Sequence, residues 1–152
     1  MRFETNQVLE IVGIGKDTLR TWKRHLEPIK DIDGRVGRYT LGQVLALFVI
    51  ARASQDIGVP ISRFEPYSHL IFEAMEQQTT PDSRDEVLVV VKDTMFFVDE
   101  ASMSLENTAA AFVSVRRSRL AVLGTLNSDT SRASETQLEL QFDGSKIRRP
   151  PT

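Results

Sequence analysis

The stretch GIGKDTLRTWKR at residues 13–24 decides the fold of the N-terminal half of this chain. Its two glycines flank one isoleucine and predict a tight turn, and the residues that follow have helical periodicity. Leu19, Trp22 and Leu26 are spaced at i, i+3 and i+7, so one face of this helix is apolar. A second face, roughly a quarter turn away, carries Lys16, Arg20, Lys23 and Arg24. The pattern predicts a helix over residues 16–26 that packs by one face and leaves a basic face for a ligand.

A short helix and a hairpin are predicted on either side of this segment. Upstream, Thr5 is the expected N-cap of a helix that ends at Gly13. Downstream, Pro28 ends the basic helix, and residues 29–39 predict a strand, a turn at Asp33-Gly34 and a return strand. The return strand carries Arg35 and Arg38. We call this predicted hairpin the wing.

Two further helices are predicted to complete this half of the chain. Thr40 and Gln43 form a capping box that opens an apolar helix running to about residue 54. A fourth helix begins near Ser62, is irregular at Pro66, and has the apolar residues Phe64, Leu70, Ile71 and Met75 to bury.

Three separated motifs of this half resemble the DNA-binding domain of MerR-type regulators. They are the stretch at 13–24, then Gly37-Arg38-Tyr39-Thr40 opening a helix, then Ile57-Gly58-Val59-Pro60-Ile61 opening another. The resemblance covers about the first 75 residues and implies a winged helix-turn-helix over residues 1–76. The long heptad helix with which effector-sensing members of that family dimerise is missing after residue 76.

The resemblance also implies a set of DNA-contacting residues. Thr18, Arg20, Thr21 and Arg24 would lie along the recognition helix, with Arg20 near the phosphates. Arg35 and Arg38 would contact the flanking backbone or the minor groove, while Trp22 and Tyr39 belong to the core and the wing hinge. The basic pattern of the helix adds Lys16 and Lys23. Guanidinium groups pair bidentately with phosphate or guanine, whereas lysines act as point charges.

The second half of the chain predicts an interaction module and a tail. Residues 84–126 begin with strands at 86–91 and 95–98, while 104–126 suit either a helix or a strand. We expect this module to mediate dimerisation or to bind a partner. Its three arginines, Arg116, Arg117 and Arg119, are expected in a solvated turn, with a phosphate contact as the alternative.

Residues 127–152 are predicted to form a mostly flexible tail. Within it, QLELQF at residues 137–142 alternates apolar and polar side chains, which predicts an edge strand. The hexamer also looks like the peptides by which bacterial replication proteins bind the sliding clamp. In that alternative the contacting residues are Gln137, Leu138, Leu140 and Phe142.

Composition excludes several classes of function. The chain of 152 residues has no cysteine and only two histidines, so we expect no metal site, no cofactor and no enzymatic activity. No apolar run approaches the ~20 residues that span a bilayer, and we expect a cytoplasmic, nucleoid-associated protein without a membrane partner. The net charge of −2 offers no global attraction to nucleic acid, but residues 16–38 carry +3.

The sequence therefore predicts an α+β protein, with a mostly helical winged helix-turn-helix followed by a small mixed α/β module and a flexible tail. The expected function is sequence-specific DNA binding by a transcriptional regulator of bacterial or phage type. Its expected partners are double-stranded DNA and a second copy of the chain, with the sliding clamp or RNA polymerase as alternative protein partners. The alternative is an architectural or replication-linked DNA-binding protein that recruits the sliding clamp through residues 137–142.

Overall fold

The described part of the chain, in a computed structural model, comprises residues 1–34, 36–80, 83–103 and 110–129. It is a mixed α+β fold with two small antiparallel sheets, which confirms the predicted class. Met1–Val122 form one compact unit, and a second unit begins at Leu123. None of the helices described is long and apolar enough to cross a membrane.

The chain begins with a strand and two short helices: β1 (Arg2–Glu4), α1 (Thr5–Val12) and α2 (Lys16–Lys23). The N-cap of α1 is Glu4 rather than Thr5, because Gln7 Oε1 accepts a hydrogen bond from Glu4 N at 2.9 Å and Thr5 is buried in the first turn. Gly13 ends α1 at φ +75°, as predicted, since glycine adopts this left-handed conformation without a steric cost.

The wing differs from its prediction. The prediction of a first strand in the wing is wrong, because Glu27–Ile29 form a 3-10 turn. Leu26 and Ile29 are both fully buried, and a spacing of three residues places them on the same side of a 3-10 helix. The return strand is confirmed as β2 (Arg38–Thr40), but its partner is β1, with Phe3 opposite Tyr39. Arg35 lies outside the described residues.

The predicted capping box is confirmed at the start of α3 (Leu41–Asp56). Thr40 Oγ1 accepts a hydrogen bond from Gln43 N at 3.0 Å, and Gln43 Oε1 accepts one from Thr40 N at 2.9 Å. The helix continues past the expected residue 54. Residues 44–47 are all buried, so α3 is apolar around its whole circumference and must be covered on every side.

A 3-10 helix (Ile61–Tyr67) that contains Pro66 leads into α4 (Ser68–Gln77). The expected irregularity at Pro66 is therefore confirmed. The predicted buried residues Phe64, Ile71 and Met75 have no exposed surface. Leu70 is 48% exposed, which contradicts its predicted burial, because Ile71 and Met75 direct the opposite face of α4 toward the core.

The second sheet comprises β3 (Glu86–Val90), β4 (Met95–Asp99) and β5 (Ala111–Ser114), in the order β4-β3-β5. The predicted hairpin at 86–98 is thus confirmed. The sequence of residues 104–126 suited either a helix or a strand, and the described part of this segment contains both. The strand β5 is followed by a helix over residues 115–129, which we call α5. This helix includes residues 127–129, which were assigned to the flexible tail, so that boundary is wrong.

Gly42 allows α3 to approach α4 closely. A Cβ atom at this position would lie 2.7 Å from the Glu76 Cα and closer still to the Glu76 carboxyl group. The Glu76 carboxylate in turn accepts a hydrogen bond from the Thr40 hydroxyl.

We predict that Gly42→Ala lowers the free energy of unfolding by about 1–3 kcal/mol, because backbone at α4 would have to move. Gly124→Ala is the matched control, since Gly124 is also helical and a Cβ atom there would have no other atom within 4 Å. It should leave stability unchanged or raise it by about 0.5–1 kcal/mol. Urea denaturation measures both, and equal effects would contradict the close approach.

Tyr39 is fully buried by the pairing of β1 with β2. Burial raises the pKa of its phenol above 10.0, and the nearby Thr5 hydroxyl opposes this shift by less. Within the described part of the chain, neither hydroxyl has a partner in hydrogen-bonding geometry. The folded protein therefore favours the neutral phenol.

The raised pKa predicts loss of stability in alkali. The contribution of Tyr39 is fully present below pH 10 and is lost as the pH rises through the folded-state pKa, because only the unfolded chain ionises readily. Tyr39→Phe should remove this part of the pH dependence and leave neutral stability unchanged or higher, since it deletes an unpaired buried hydroxyl. Thermal unfolding between pH 8 and pH 11 measures the difference, and parallel curves would contradict the assignment.

Candidate nucleic-acid interface

The helix α2 is fixed to the core by one face only. Leu19 and Trp22 are 3% and 5% exposed, as the sequence predicts. Gly15 is the N-cap of the helix, and within the described residues no side chain caps the first turn. The exposed side chains of the helix and its C-cap include five predicted DNA contacts: Lys16, Thr18, Arg20, Thr21 and Arg24.

Arg20 is held only weakly by the protein. Its Nη1 lies 3.7 Å from Asp17 Oδ1, and the two side chains are 75% and 97% exposed. Ion pairs this exposed contribute little to stability. The guanidinium can therefore exchange Asp17 for a phosphate at small cost.

Lys23 differs from the other predicted contacts. Its side chain is half-buried, and Nζ donates a hydrogen bond to the backbone carbonyl of Ile32. Desolvation lowers the pKa of Lys23, and the nearby Asp33 carboxylate acts in the opposite direction. Lys23 thus ties α2 to the loop over residues 30–37 and positions that loop beside the basic face.

The loop returns to β2 through a glycine that no other residue can replace without movement. A Cβ atom at Gly37 would lie 2.1 Å from the backbone oxygen of Asp33 and 2.6 Å from Ile32 Cγ2. The following residue, Arg38, is exposed and lies opposite Glu4 in the β1–β2 ladder. The tight loop therefore delivers Arg38 to the outward face of the small sheet.

The β1–β2 sheet also carries Arg2, a cation that the sequence did not predict as part of the DNA-binding surface. Arg2 is exposed and lies opposite Thr40, on the outward face that also carries Arg38. The signal was present in the alternation of Arg2, Phe3 and Glu4, because a buried Phe3 requires its neighbours to point outward. The unpredicted pairing of β1 with β2 is what brings Arg2 to this surface.

Three cations converge on a cleft between α2 and the loop. The cleft has a volume of about 430 Å³ and is lined by Thr5, Lys16, Leu19, Arg20, Lys23 and Gly34. Its cationic wall suits an anionic group such as a backbone phosphate. The roles of Thr5 and Gly34 in this cleft were not predicted, because they depend on how α1 and the loop pack.

Two arginines of the second half, Arg116 and Arg119, have structural partners. Arg119 lies 3.4 Å from Asp85 Oδ1 and also donates to Gln78 O and Oε1 at 3.3 Å. Arg116 lies 3.6 Å from the second oxygen of Asp85. Arg116, Arg117 and Arg119 all lie in α5 rather than in the expected solvated turn, and the side chain of Arg117 is exposed. The half-buried Arg119 holds the helix against the start of β3.

No further site is assigned among the described residues outside the basic face. The candidate clamp-binding residues Gln137, Leu138, Leu140 and Phe142 lie outside the described residues. Within the part that is described, no group of histidine and acidic side chains is arranged to hold a metal ion. His25 Nδ1 instead lies 3.0 Å from Glu65 Oε2, between the end of α2 and the 3-10 helix that precedes α4.

No protein-family model, characterised protein or solved structure matches the chain. The geometry of the basic face is therefore the basis for assigning a function.

We predict that Lys23→Met loosens the loop without unfolding the domain. The variant keeps the apolar stem but loses the hydrogen bond to Ile32. This loss should lower the free energy of unfolding by about 1 kcal/mol. Amide hydrogen exchange of residues 30–37 should become several-fold faster. Lys16→Met is the matched control, because Lys16 is exposed on the same helix. Equal loop exchange in both variants would show that Lys23 does not hold the loop.

Proposed function

We propose that this chain is a sequence-specific DNA-binding transcriptional regulator of bacterial or phage type, in which residues 1–76 act as a MerR-type winged helix-turn-helix. The observation that carries the proposal is the arrangement of α2. Leu19 and Trp22 anchor one face in the core, and Lys16, Arg20 and Arg24 project from the exposed remainder. A helix held in this way presents a fixed set of side chains to a groove.

Local charge supports the same surface. Residues 16–38 carry seven lysines and arginines against four carboxylates, whereas the whole chain has a net charge of −2. A duplex attracts such a concentrated basic face through its phosphates and their counterions. The weak overall charge makes non-specific affinity low, so specific binding depends on base contacts and on the number of half-sites engaged.

In the proposed complex, α2 enters the major groove with its uncapped first turn toward the DNA. Arg20 contacts a phosphate and fixes the register, while Thr18, Thr21 and Arg24 reach base edges. Lys23 positions the loop, and Arg38, together with the predicted contact Arg35, reaches the flanking backbone or minor groove. Lys23 also lines the cationic cleft, so it stays among the predicted direct contacts while it ties the loop to α2.

The second half of the chain completes the proposed regulator. Residues 84–126 join two copies, so that two recognition helices read two half-sites of one operator. A regulator of this kind acts in the cytoplasm at the nucleoid and communicates with RNA polymerase.

The first test identifies the DNA and then measures the contacts. Selection from a random duplex pool should enrich a defined sequence for the wild-type protein. On that duplex, Arg20→Ala and Arg38→Ala should each weaken binding and flatten the dependence of log affinity on log salt by about 0.9, the value for one lost phosphate contact.

Arg84→Ala is the matched control, since Arg84 is an exposed arginine of the second half. It should leave both affinity and salt slope unchanged. The assigned DNA face is wrong if the Arg20 and Arg38 variants retain the wild-type slope, or if Arg84→Ala changes it as much as they do.

A further inference from the structure

The strand β4 forms one edge of the three-stranded sheet. Its backbone is hydrogen-bonded to β3 on one side, with Val89 opposite Phe96 and Val87 opposite Val98. Among the residues that the structure describes, no strand lies on its other side. That side therefore presents a row of backbone donors and acceptors that a further strand could pair with.

The sequence of β4 has few of the features that protect natural edge strands, since its one charged residue, Asp99, stands at the end of the strand. Its residues Met95–Asp99 include no proline, glycine or lysine, and four of the five are apolar. Phe96 is 42% exposed, while Phe97 and Val98 are half-buried. An apolar, weakly protected edge of this kind is typical of strands that pair with another chain.

We propose that β4 pairs antiparallel with β4 of a second copy, so that the two sheets join into one of six strands across a two-fold axis. The two-fold axis is perpendicular to the sheet. Side chains on one face of the sheet in one copy therefore lie on the same face in the second copy. Residues that face each other across the axis must therefore point to the same face, which requires the register to be centred on a residue.

The charges at the ends of β4 select one register. Centring on Phe97 places Phe96 opposite the second copy's Val98, and Met95 opposite its Asp99. Centring on Phe96 would instead set Asp93 against Asp99, two carboxylates that repel each other. Centring on Val98 would place Phe96 opposite Glu100. Of the three registers, only the first places Phe96 opposite an apolar residue and sets no two carboxylates opposite each other.

The same register covers the exposed aromatic side chain of the edge. Phe112, Val89 and Phe96 form one row across β5, β3 and β4 on a single face of the sheet. In the joined sheet this row continues into Val98 and Val87 of the second copy. Phe96, at the end of the row in one chain, then lies between valines on both sides.

A dimer formed in this way would bring two recognition helices to two half-sites of one duplex. That role of the dimer rests on the proposed function. The surface itself involves none of the DNA-contacting residues. Dimerisation is therefore measured without DNA, and its failure would leave the results on Arg20 and Arg38 unaffected.

Thiol cross-linking tests the register, since the chain has no cysteine of its own. Directly opposite residues of an antiparallel pair have Cα atoms about 4.5–5.5 Å apart, within the range of a disulfide. A mixture of Phe96→Cys and Val98→Cys proteins should therefore form cross-linked dimers several-fold more than either variant alone, because identical positions lie about 7–8 Å apart.

Sedimentation gives an independent measurement on the unmodified protein. The wild type should sediment with twice the mass of the chain, and Phe96→Lys should sediment as a monomer. Val36→Lys, at an apolar residue that is 73% exposed in the loop, should remain dimeric. The proposal is overturned if the wild type is monomeric, if Phe96→Lys folds and stays dimeric, or if the mixed and single cysteine variants cross-link equally.

Discussion

The burial of α3 is the constraint on which the rest of the structure depends. Its side chains at 44–47 leave no polar face, so the helix is stable only when it is covered all around. The cover comes from α1, α4, the β1–β2 ladder and β5, all of which contact it. α2 follows the glycine turn after α1 and buries Leu19 and Trp22, and this burial determines which side of α2 carries the basic face.

Local chemistry made much of this fold predictable. Thr40 and Gln43 begin α3 because their side chains satisfy backbone groups three residues away, and Gly13 ends α1 because glycine tolerates a positive φ. The stripe of Leu19 and Trp22 likewise fixed which face of α2 is buried. These signals act within a few residues, so the sequence contains all that is needed to recognise them. The exposure of Lys16, Arg20 and Arg24 on α2 was predictable for the same reason.

The parts that were not predictable depend on partners far along the chain. The first strand of the wing became a 3-10 turn because Leu26 and Ile29 both reach the core, and β2 pairs with β1 about 36 positions earlier in sequence. The hydrogen bond from Lys23 to the loop was not predictable, because it depends on the position of the Ile32 carbonyl, nine residues along the chain. No local pattern shows where a distant carbonyl will lie, and the same holds for the Gln78 and Asp85 partners of Arg119.

The central claim is that the exposed part of α2, with the loop and the outward face of the small sheet, is the surface that binds DNA. The most direct measurement is an NMR titration of the labelled protein with its selected duplex, followed by amide chemical shifts. The largest changes should fall on residues 15–24 and at Arg38, while the amides of β4 should not change with added DNA. Changes centred on the β4-β3-β5 sheet, or no changes at all, would contradict the claim.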